Sequence, residues 1–206
     1  MLAVDELIMA RHGESEFSVV GRTNGDPSVA CALTKTGRQE ARRLGQMLAK
    51  GHIDLCVVSE FQRAQETADL ALAGRDVPRL VSGDFNDIRF GDFEGHQLTE
   101  YRAWAHAHGP EVQAPGGGDS RAETVRRYIR GFRMILGRRE QTILLVAHGL
   151  PVRYILDADN GRDPAAAVAQ VPYAEPFQLD AGELTAAVQR LEAWAERPHW
   201  IAAGGR

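Results

Sequence analysis

The sequence predicts an α/β fold, a three-layer sandwich in which a mostly parallel sheet carries helices on both faces. Short apolar runs alternate with amphipathic helical patterns along residues 1–206. The apolar runs are continuous rather than alternating in polarity, which is typical of parallel strands covered on both faces. No segment has the composition of a linker, so a single domain is predicted.

Two of the predicted strands end in the same way. Leu7 to Ala10 leads into Arg11-His12-Gly13-Glu14, and Thr142 to Ala147 leads into His148-Gly149. Ligands of open α/β sheets bind beyond the carboxyl ends of the strands, so two histidines delivered to one edge indicate a functional site. The other predicted strands are Ile53–Val58, Pro78–Ser82 and Phe177–Leu179.

The helices are predicted from apolar residues at helical spacing. The first begins after Thr34 as N-cap and stops at Gly51. Ser59 is predicted to cap the second, which places Arg63 in its first turn, where a cation is favourable only if an anion binds nearby. The remaining helices are predicted over Leu98–His108, from Asp119 or Ser120 to about Gly137, over Leu150–Leu156, and around Leu184, Val188, Leu191 and Trp194.

Two connecting segments have compositions that indicate a role at the site. Ser15 to Cys31 is rich in Gly, Ser, Asn and Asp, and is predicted to be a long irregular loop over the sheet edge. Asp84 to Gly95 interleaves carboxylates and glycines with phenylalanines. Buried Phe rings are expected to hold this second segment, with at least one carboxylate turned into the cleft.

Composition argues against several classes of protein. A formal charge of −4 gives no support to nucleic-acid or anionic-membrane binding. No run reaches membrane-spanning length and the start does not resemble a signal peptide, so a cytoplasmic protein is predicted. Cys31 and Cys56 lack metal-ligand spacing, and the histidines form no HExxH motif, so no metal site is predicted.

Five separated motifs occur in a characteristic order. They are Arg11-His12-Gly13-Glu14, Ser59 through Ala68 with Arg63, Asp87 to Gly95, Gly118-Asp119-Ser120, and Ala147-His148-Gly149. In order and spacing they resemble the histidine phosphatase superfamily, in its phosphoglycerate mutase-like branch. The resemblance covers nearly the whole chain and weakens after about Tyr173.

The resemblance implies that His12 is a nucleophile that accepts the phosphoryl group. Arg11, Arg63 and His148 would surround that group. A neutral imidazole nitrogen can attack phosphorus, and a covalent intermediate replaces one difficult step with two easier ones. Arginines supply paired donors that stay protonated, so the resemblance implies no metal and no cofactor.

The resemblance also assigns substrate contacts. Ser18, Asn24 and Gly25 occupy places where the first loop of this family reaches the phosphate or the substrate, and Gly149 follows the second histidine. Mutases usually have Asn at the position of Ser18, so this contact is expected in reduced form.

The sequence offers two candidates for the general acid. Asp87 falls where the family commonly has the Glu that protonates the leaving oxygen, and it is one methylene shorter. Glu94, in the Phe-Glu-Gly part of the same motif, is the alternative acid.

The resemblance therefore implies a metal-independent phosphomonoesterase that acts on a small phosphate ester through a phosphohistidine. Phosphoglycerate mutase is the first alternative, disfavoured by Ser18, by Asp87 and by a chain shorter than mutases generally have. A non-catalytic phosphate-binding module is the second, disfavoured because binding alone needs no nucleophile. The expected partner is a small molecule, with no nucleic acid or membrane, and the sequence is compatible with a homo-oligomer.

Overall fold

A parallel sheet forms the centre of the protein in a computed structural model, which describes residues 4–200. Within that range the strands are β1 (Glu6–Arg11), β2 (Leu55–Val58), β3 (Arg79–Val81), β4 (Thr142–Ala147) and β5 (Phe177–Asp180). Their order across the sheet is β3-β2-β4-β1-β5. The first four are parallel, and β5 runs antiparallel to β1 at the edge.

Helices cover both faces of this sheet. They are α1 (Glu16–Val19), α2 (Lys35–Met47), α3 (Gln62–Ala71), α4 (Leu98–Ala107), α5 (Arg121–Leu136), α6 (Gly149–Asp159) and α7 (Ala181–Glu196). Side chains such as Ile8 and Val146 pack against α2 and α3, whereas Met9 and Leu145 pack against α5, α6 and α7. Successive strand residues point to opposite faces, which is why both faces need cover. The predicted three-layer α/β fold is confirmed.

A separate small cluster lies under the segment from residue 84 to residue 95. Ile88 and Phe90 are buried against Tyr101 and Ala105 of α4. Phe85 is buried instead against Phe132 of α5, with ring centroids 5.2 Å apart. Buried aromatic rings therefore hold this segment, as the sequence predicted.

The pairing of β1 with β4 brings the two histidine-bearing strand ends together. Arg11 is paired with Ala147, and the backbone N–H of His12 donates to the carbonyl of Ala147 at 2.9 Å. The two residues that follow the strands, His12 and His148, consequently have ring centroids 5.3 Å apart. The prediction that both histidines reach one edge is confirmed.

Several helix boundaries differ from the predictions. Ser59 does not cap α3, which begins at Gln62 after Phe61, although Arg63 is in the first turn as predicted. The segment predicted as irregular contains the short helix α1, and α2 ends at Met47, before Gly51. Helices α2 and α5 are capped by Thr34 and Ser120, each accepting from a backbone N–H three residues later.

The described helices include none that combines the length and the apolar character needed to cross a membrane.

Candidate active site

His12 lies directly beyond β1, and only 3% of its surface is exposed. Its Nδ1 is 2.7 Å from the carbonyl oxygen of Gly13, and its Nε2 accepts from Nε of Arg63 at 3.2 Å. A carbonyl can only accept and a guanidinium can only donate, so the proton must be on Nδ1 and the lone pair on Nε2. Burial, and then the charge of Arg63, hold the pKa of His12 well below its ordinary value. The imidazole is therefore neutral, with Nε2 available as a nucleophile.

Gly13 is required by the close approach of α2. A Cβ at Gly13 would lie 2.5 Å from the carbonyl oxygen of Gly37, which is closer than any real Cβ contact. The N–H of Gly13 donates to Oγ1 of Thr67 at 3.0 Å, and that hydroxyl donates in turn to the carbonyl of Arg63. The backbone next to His12 is thus held by two helices, α2 and α3.

Arg63 connects the two histidines and Asn24. Its Nη2 donates to the carbonyl of Asn24 at 3.0 Å and lies 3.3 Å from Nδ1 of His148, while Nη1 bonds to the side-chain oxygen of Asn24. Its guanidinium carbon is 4.2 Å above the ring of Phe61. Asn24 therefore orients Arg63 in this structure.

Arg11 faces the same space from the end of β1. Its Nη1 donates to the carbonyl of Val171 at 2.9 Å, and its guanidinium carbon is 3.9 Å from the ring centroid of Tyr173. Its Nε is buried and has no acceptor within residues 4–200. A buried donor without a partner costs free energy, so a bound anion would complete the hydrogen bonding of Arg11.

His148 is completely buried behind the two arginines. Its Nδ1 can only accept from Arg63, so the proton is on Nε2 and donates to Oγ of Ser59 at 2.9 Å. Burial and the charge of Arg63 place the pKa of His148 well below its ordinary value. His148 is neutral in the free protein, so its use as a further donor requires protonation when a phosphate dianion binds.

Asp87 brings a carboxylate to the cleft. Its Oδ2 is 3.6 Å from Nη2 of Arg63 and 3.7 Å from Nδ1 of His148. Burial raises the pKa of Asp87, although Arg63 opposes the shift. Arg127 of α5 fixes this segment by donating to the carbonyls of Asn86 and Asp87 at 2.7 and 3.0 Å. The raised pKa is what a proton donor near neutral pH needs.

Glu94, the alternative acid, is committed to the backbone. One carboxylate oxygen accepts from the N–H of Gly25 at 2.8 Å, and the other accepts from the N–H of Phe90 at 2.9 Å. Glu94 thus joins the first loop to the segment that carries Asp87. This geometry favours a structural role for Glu94.

The Glu94→Gln variant should be less stable than the wild type, and its activity should fall equally for all phosphate esters. The side-chain NH2 group of the glutamine would face one of the two backbone N–H groups. That backbone donor would then be unsatisfied, at a cost of about 1–3 kcal/mol. We expect a lower thermal midpoint and similar losses of activity toward alkyl and nitrophenyl phosphates. The matched control is Glu111→Gln, whose side chain is 65% exposed. A selective loss toward alkyl phosphates would instead make Glu94 the acid.

Of the other predicted substrate-binding residues, Ser18 lines the same cleft as His12, whereas Gly25 and Gly149 line neighbouring cavities. Ser18 lines it, but its hydroxyl bonds to the backbone of Ser15 at the start of α1. The N–H of Gly25 is used by Glu94. Gly149 is the first residue of α6, and a Cβ there would lie 3.8 Å from Nε of Arg11. Ser18 therefore shares the cleft with His12, Gly149 lies next to Arg11, and the N–H of Gly25 is already hydrogen-bonded.

The catalytic cleft has a volume of about 230 Å³, and its wall includes His12, Arg11, Arg63 and Asp87. Sequence reasoning missed several supporting residues: Ser59 as the partner of His148, Thr67, Arg127 and Tyr173. The position of Thr67 four residues after Arg63, on the same face of α3, was the available signal for one of them. Within the part of the chain that the structure describes, no group of three or more His, Cys, Asp or Glu side chains could hold a metal ion.

The chain is similar to known proteins in sequence and in fold. A family model of the histidine phosphatase superfamily (branch 1) matches residues 7–196. A 2,3-bisphosphoglycerate-dependent phosphoglycerate mutase of Methylobacterium sp. (strain 4-46) is 34% identical over 75% of this chain and 80% of that protein. Phosphoserine phosphatase 1 of Hydrogenobacter thermophilus is 30% identical over 77% of each chain. The crystal structure of the α-ribazole phosphatase from Shigella flexneri superimposes with a TM-score of 0.72 at 26% identity, over 85% of this chain and 90% of that one.

Proposed function

Because the chain belongs to the histidine phosphatase superfamily, we propose that it is a metal-independent phosphomonoesterase that acts on a small phosphate ester through a phosphohistidine. The observation that carries the proposal is the state of His12, a neutral imidazole in the wall of the cleft whose proton is on Nδ1, bonded to the carbonyl of Gly13, and whose Nε2 carries the lone pair. Two arginines and one carboxyl group with a raised pKa surround it. This combination supports nucleophilic attack on phosphorus.

In the first step, Nε2 of His12 attacks phosphorus and the bond to the ester oxygen breaks. Arg63 must give up its hydrogen bond to Nε2 and turn its donors to the phosphoryl oxygens, where Arg11 offers its unpaired Nε. Charge on the equatorial oxygens is stabilised by these fixed donors. Asp87 transfers its proton to the leaving oxygen, so the first product is released as a neutral alcohol.

In the second step, water attacks the phosphohistidine. Asp87, now a carboxylate, takes a proton from this water, and the bond between phosphorus and Nε2 breaks to regenerate neutral His12. Inorganic phosphate leaves, and Asp87 is protonated again for the next turnover. The same carboxyl group therefore serves as acid and then as base.

Phosphoglycerate mutase is the second candidate, because a mutase is among the similar proteins. The aligned stretch makes up similar shares of the two chains, so chain length does not separate the two activities. The proposal of hydrolysis rests instead on the departures at Ser18 and Asp87. A mutase would interconvert phosphoglycerates in the presence of a bisphosphoglycerate primer, whereas a phosphatase releases inorganic phosphate.

The proposed activity can be measured with purified protein and a panel of phosphomonoesters. We expect release of inorganic phosphate without a primer and without added metal, and no loss of rate when EDTA is present. Strong inhibition by EDTA would refute the metal-independent mechanism. Primer-dependent isomerisation without phosphate release would identify the protein as a mutase. Failure of the protein to be labelled by any phosphate donor would identify it as a non-catalytic phosphate-binding module.

A further inference from the structure

A large polar cavity meets the catalytic cleft at Asp87. It has a volume of about 550 Å³, and its wall includes Arg127 and Asp119, neither of which lines the catalytic cleft. Among the described residues, Asp87 is the one that belongs to the walls of both. Arg127 therefore reaches the proposed general acid from outside the space that contains His12.

The guanidinium group of Arg127 holds the acid segment, the stretch of backbone from residue 83 to residue 89 that carries Asp87. Its Nη1 donates to the carbonyls of Gly83 and Asn86 at 3.2 and 2.7 Å, and its Nη2 donates to the carbonyl of Asp87 at 3.0 Å. The segment belongs to neither the sheet nor an α-helix, so its carbonyls need donors from elsewhere. The planar fork of an arginine serves such acceptors at fixed angles, which the compact ammonium group of a lysine does not reproduce.

Asp119 completes this arrangement as the acidic partner of Arg127. Its Oδ2 is 3.4 Å from Nη2 of Arg127, and both side chains are only 18% exposed. The same oxygen accepts from the backbone N–H of Arg89 at 3.2 Å, and the N–H of Asp119 donates to the carbonyl of Arg89 at 2.9 Å. The backbone is thereby held at Asp87 itself by Arg127 and two residues later by Asp119.

The carboxyl group of Asp87 has little freedom to move independently of this backbone. Its Oδ1 accepts from the N–H of Ile88 at 3.0 Å, whereas its Oδ2 faces Arg63 and His148. An aspartate has two side-chain torsion angles, and here one of its oxygens is bonded to the next residue. A shift of the backbone therefore moves the carboxyl group with it, and a displacement of about 1 Å at a reacting group can cost about 10²-fold in rate.

Apolar packing attaches the acid segment but does not orient the peptide groups next to Asp87. Phe85 and Ile88, on either side of Asn86 and Asp87, are completely buried. Burial of apolar surface is favourable and non-directional, so these two side chains keep the segment attached without fixing the carbonyls between them. The hydrogen bonds from Arg127 are directional and act on the two residues that lie between these anchors.

We propose that Arg127, oriented by Asp119, is the positioning residue of the general acid, and that it holds the Asp87 carboxyl group in reach of the ester oxygen. The inference rests on the proposed function, because it needs Asp87 to protonate a leaving group. Arg127 lies outside the wall of the catalytic cleft, so its effect is transmitted through Asp87. Its loss should therefore reproduce, in weaker form, the substrate selectivity of a lost acid.

Steady-state and burst kinetics of Arg127→Gln test this role with two esters, glycerol 2-phosphate and p-nitrophenyl phosphate. We expect kcat for glycerol 2-phosphate to fall about 10- to 100-fold, as for a displaced catalytic group. KM for that ester and the burst of nitrophenolate should stay within about threefold of wild type, because binding and unassisted departure do not use the acid. Arg127→Lys should recover part of the lost rate, and Asp119→Asn should give a smaller loss of the same kind.

The matched control is Arg130→Gln. Arg130 lies one turn later on α5 and contacts the same segment, but through the side chain of Asp84, at 3.1 Å and with 63% of its own side chain exposed. It bonds to none of the carbonyls that Arg127 holds. Arg130→Gln should therefore hydrolyse both esters as wild type does.

A double-mutant cycle shows whether Arg127 acts through Asp87. In the Asp87→Asn background the acid is already absent, so adding Arg127→Gln should cause no further loss with glycerol 2-phosphate. Losses that add in the double variant would show that Arg127 acts independently of Asp87, and would overturn the positioning role.

The pH profile with glycerol 2-phosphate separates position from charge. The titratable and charged groups that interact with Asp87 are Arg63, Arg11, His148, Glu94, Arg127, Tyr101 and Tyr128. Burial raises the pKa of Asp87, and the charges of Arg63, Arg11 and Arg127 oppose that shift. Removal of one cation in Arg127→Gln should raise this pKa further and move the loss of rate to higher pH. Arg127→Lys keeps the charge, so it should lower the rate without moving the profile.

The outcomes separate this inference from the proposed function. Equal losses toward both esters, with a lower thermal midpoint, would show that Arg127 has only a structural role. A folded Arg127→Gln that hydrolyses both esters as wild type does would overturn the positioning role and leave the phosphatase in place. If Arg127→Gln is unfolded, Arg127→Lys and Asp119→Asn decide by the same selectivity. A wild-type protein that releases phosphate from neither ester would overturn both proposals.

Discussion

The His12→Ala variant should form no phosphoenzyme and should lose activity by on the order of 10³-fold or more, as expected when a nucleophile that acts with its neighbours is removed. The neutral imidazole of His12 is part of the wall of the cleft, whereas His148 is not among the residues that line it. Because His148 is completely buried outside the cleft wall, we expect that it does not replace His12 as the nucleophile.

The measurement is rapid quenching after mixing with a labelled phosphate ester. Wild-type protein should retain an acid-labile, base-stable label on His12. The matched control is His52→Ala, whose side chain is 84% exposed and lies next to Asp54, and this variant should label normally. A label that survives His12→Ala would refute the assignment.

The Asp87→Asn variant should lose activity selectively, by about 10²- to 10⁴-fold toward alkyl phosphates. An alkoxide leaves poorly without a proton, whereas nitrophenolate is stable enough to leave unaided. Formation of the phosphoenzyme from p-nitrophenyl phosphate should therefore be largely spared. Asp69→Asn, which changes a carboxylate that is 62% exposed and paired with Arg79, serves as the control and should behave as wild type.

The pH dependence of the rate should also differ between alkyl phosphates and p-nitrophenyl phosphate. Burial raises the pKa of Asp87, so its protonated form persists to higher pH than that of an ordinary aspartic acid. As pH rises through this raised pKa the acid is lost, and the rate with alkyl phosphates should fall while phosphorylation by p-nitrophenyl phosphate changes little. Equal pH profiles for both substrates, together with wild-type activity of Asp87→Asn, would remove Asp87 from the mechanism.

The sequence was sufficient for the features that depend on local pattern. Continuous apolar runs predicted the parallel strands, and the residues that follow them predicted which edge carries chemistry. The proximity of His12 and His148 could be predicted because the carboxyl ends of parallel strands lie at one edge of the sheet. The start of α5 was predicted at Asp119 or Ser120, and the structure selects Ser120, whose capping box with Glu123 is a local motif.

The features that sequence reasoning missed depend on contacts between distant segments. Ser59 is a residue type that commonly caps helices. Its role is determined instead by the hydrogen bond to His148, which lies 89 positions later in the sequence. Glu94 could not be separated from Asp87 as an acid until the structure showed both its oxygens bonded to backbone N–H groups. Arg121 has the pattern of a surface residue at a helix start, and only the packing of Tyr101 and Tyr154 buries it.

The backbone contact between Gly13 and Gly37 determines how a mutational scan of this protein should be interpreted. A Cβ at Gly37 would lie 2.0 Å from the carbonyl oxygen of Glu14, so neither glycine can be replaced without moving α2 away from the end of β1. A displacement of about 1 Å at a reacting group can cost about 10²-fold in rate. Substitutions of Gly37, in the first turn of α2, will therefore score as severely as substitutions of His12 or Asp87. Such intolerance would reflect lack of space, and it would not identify Gly37 as a participant in the chemistry.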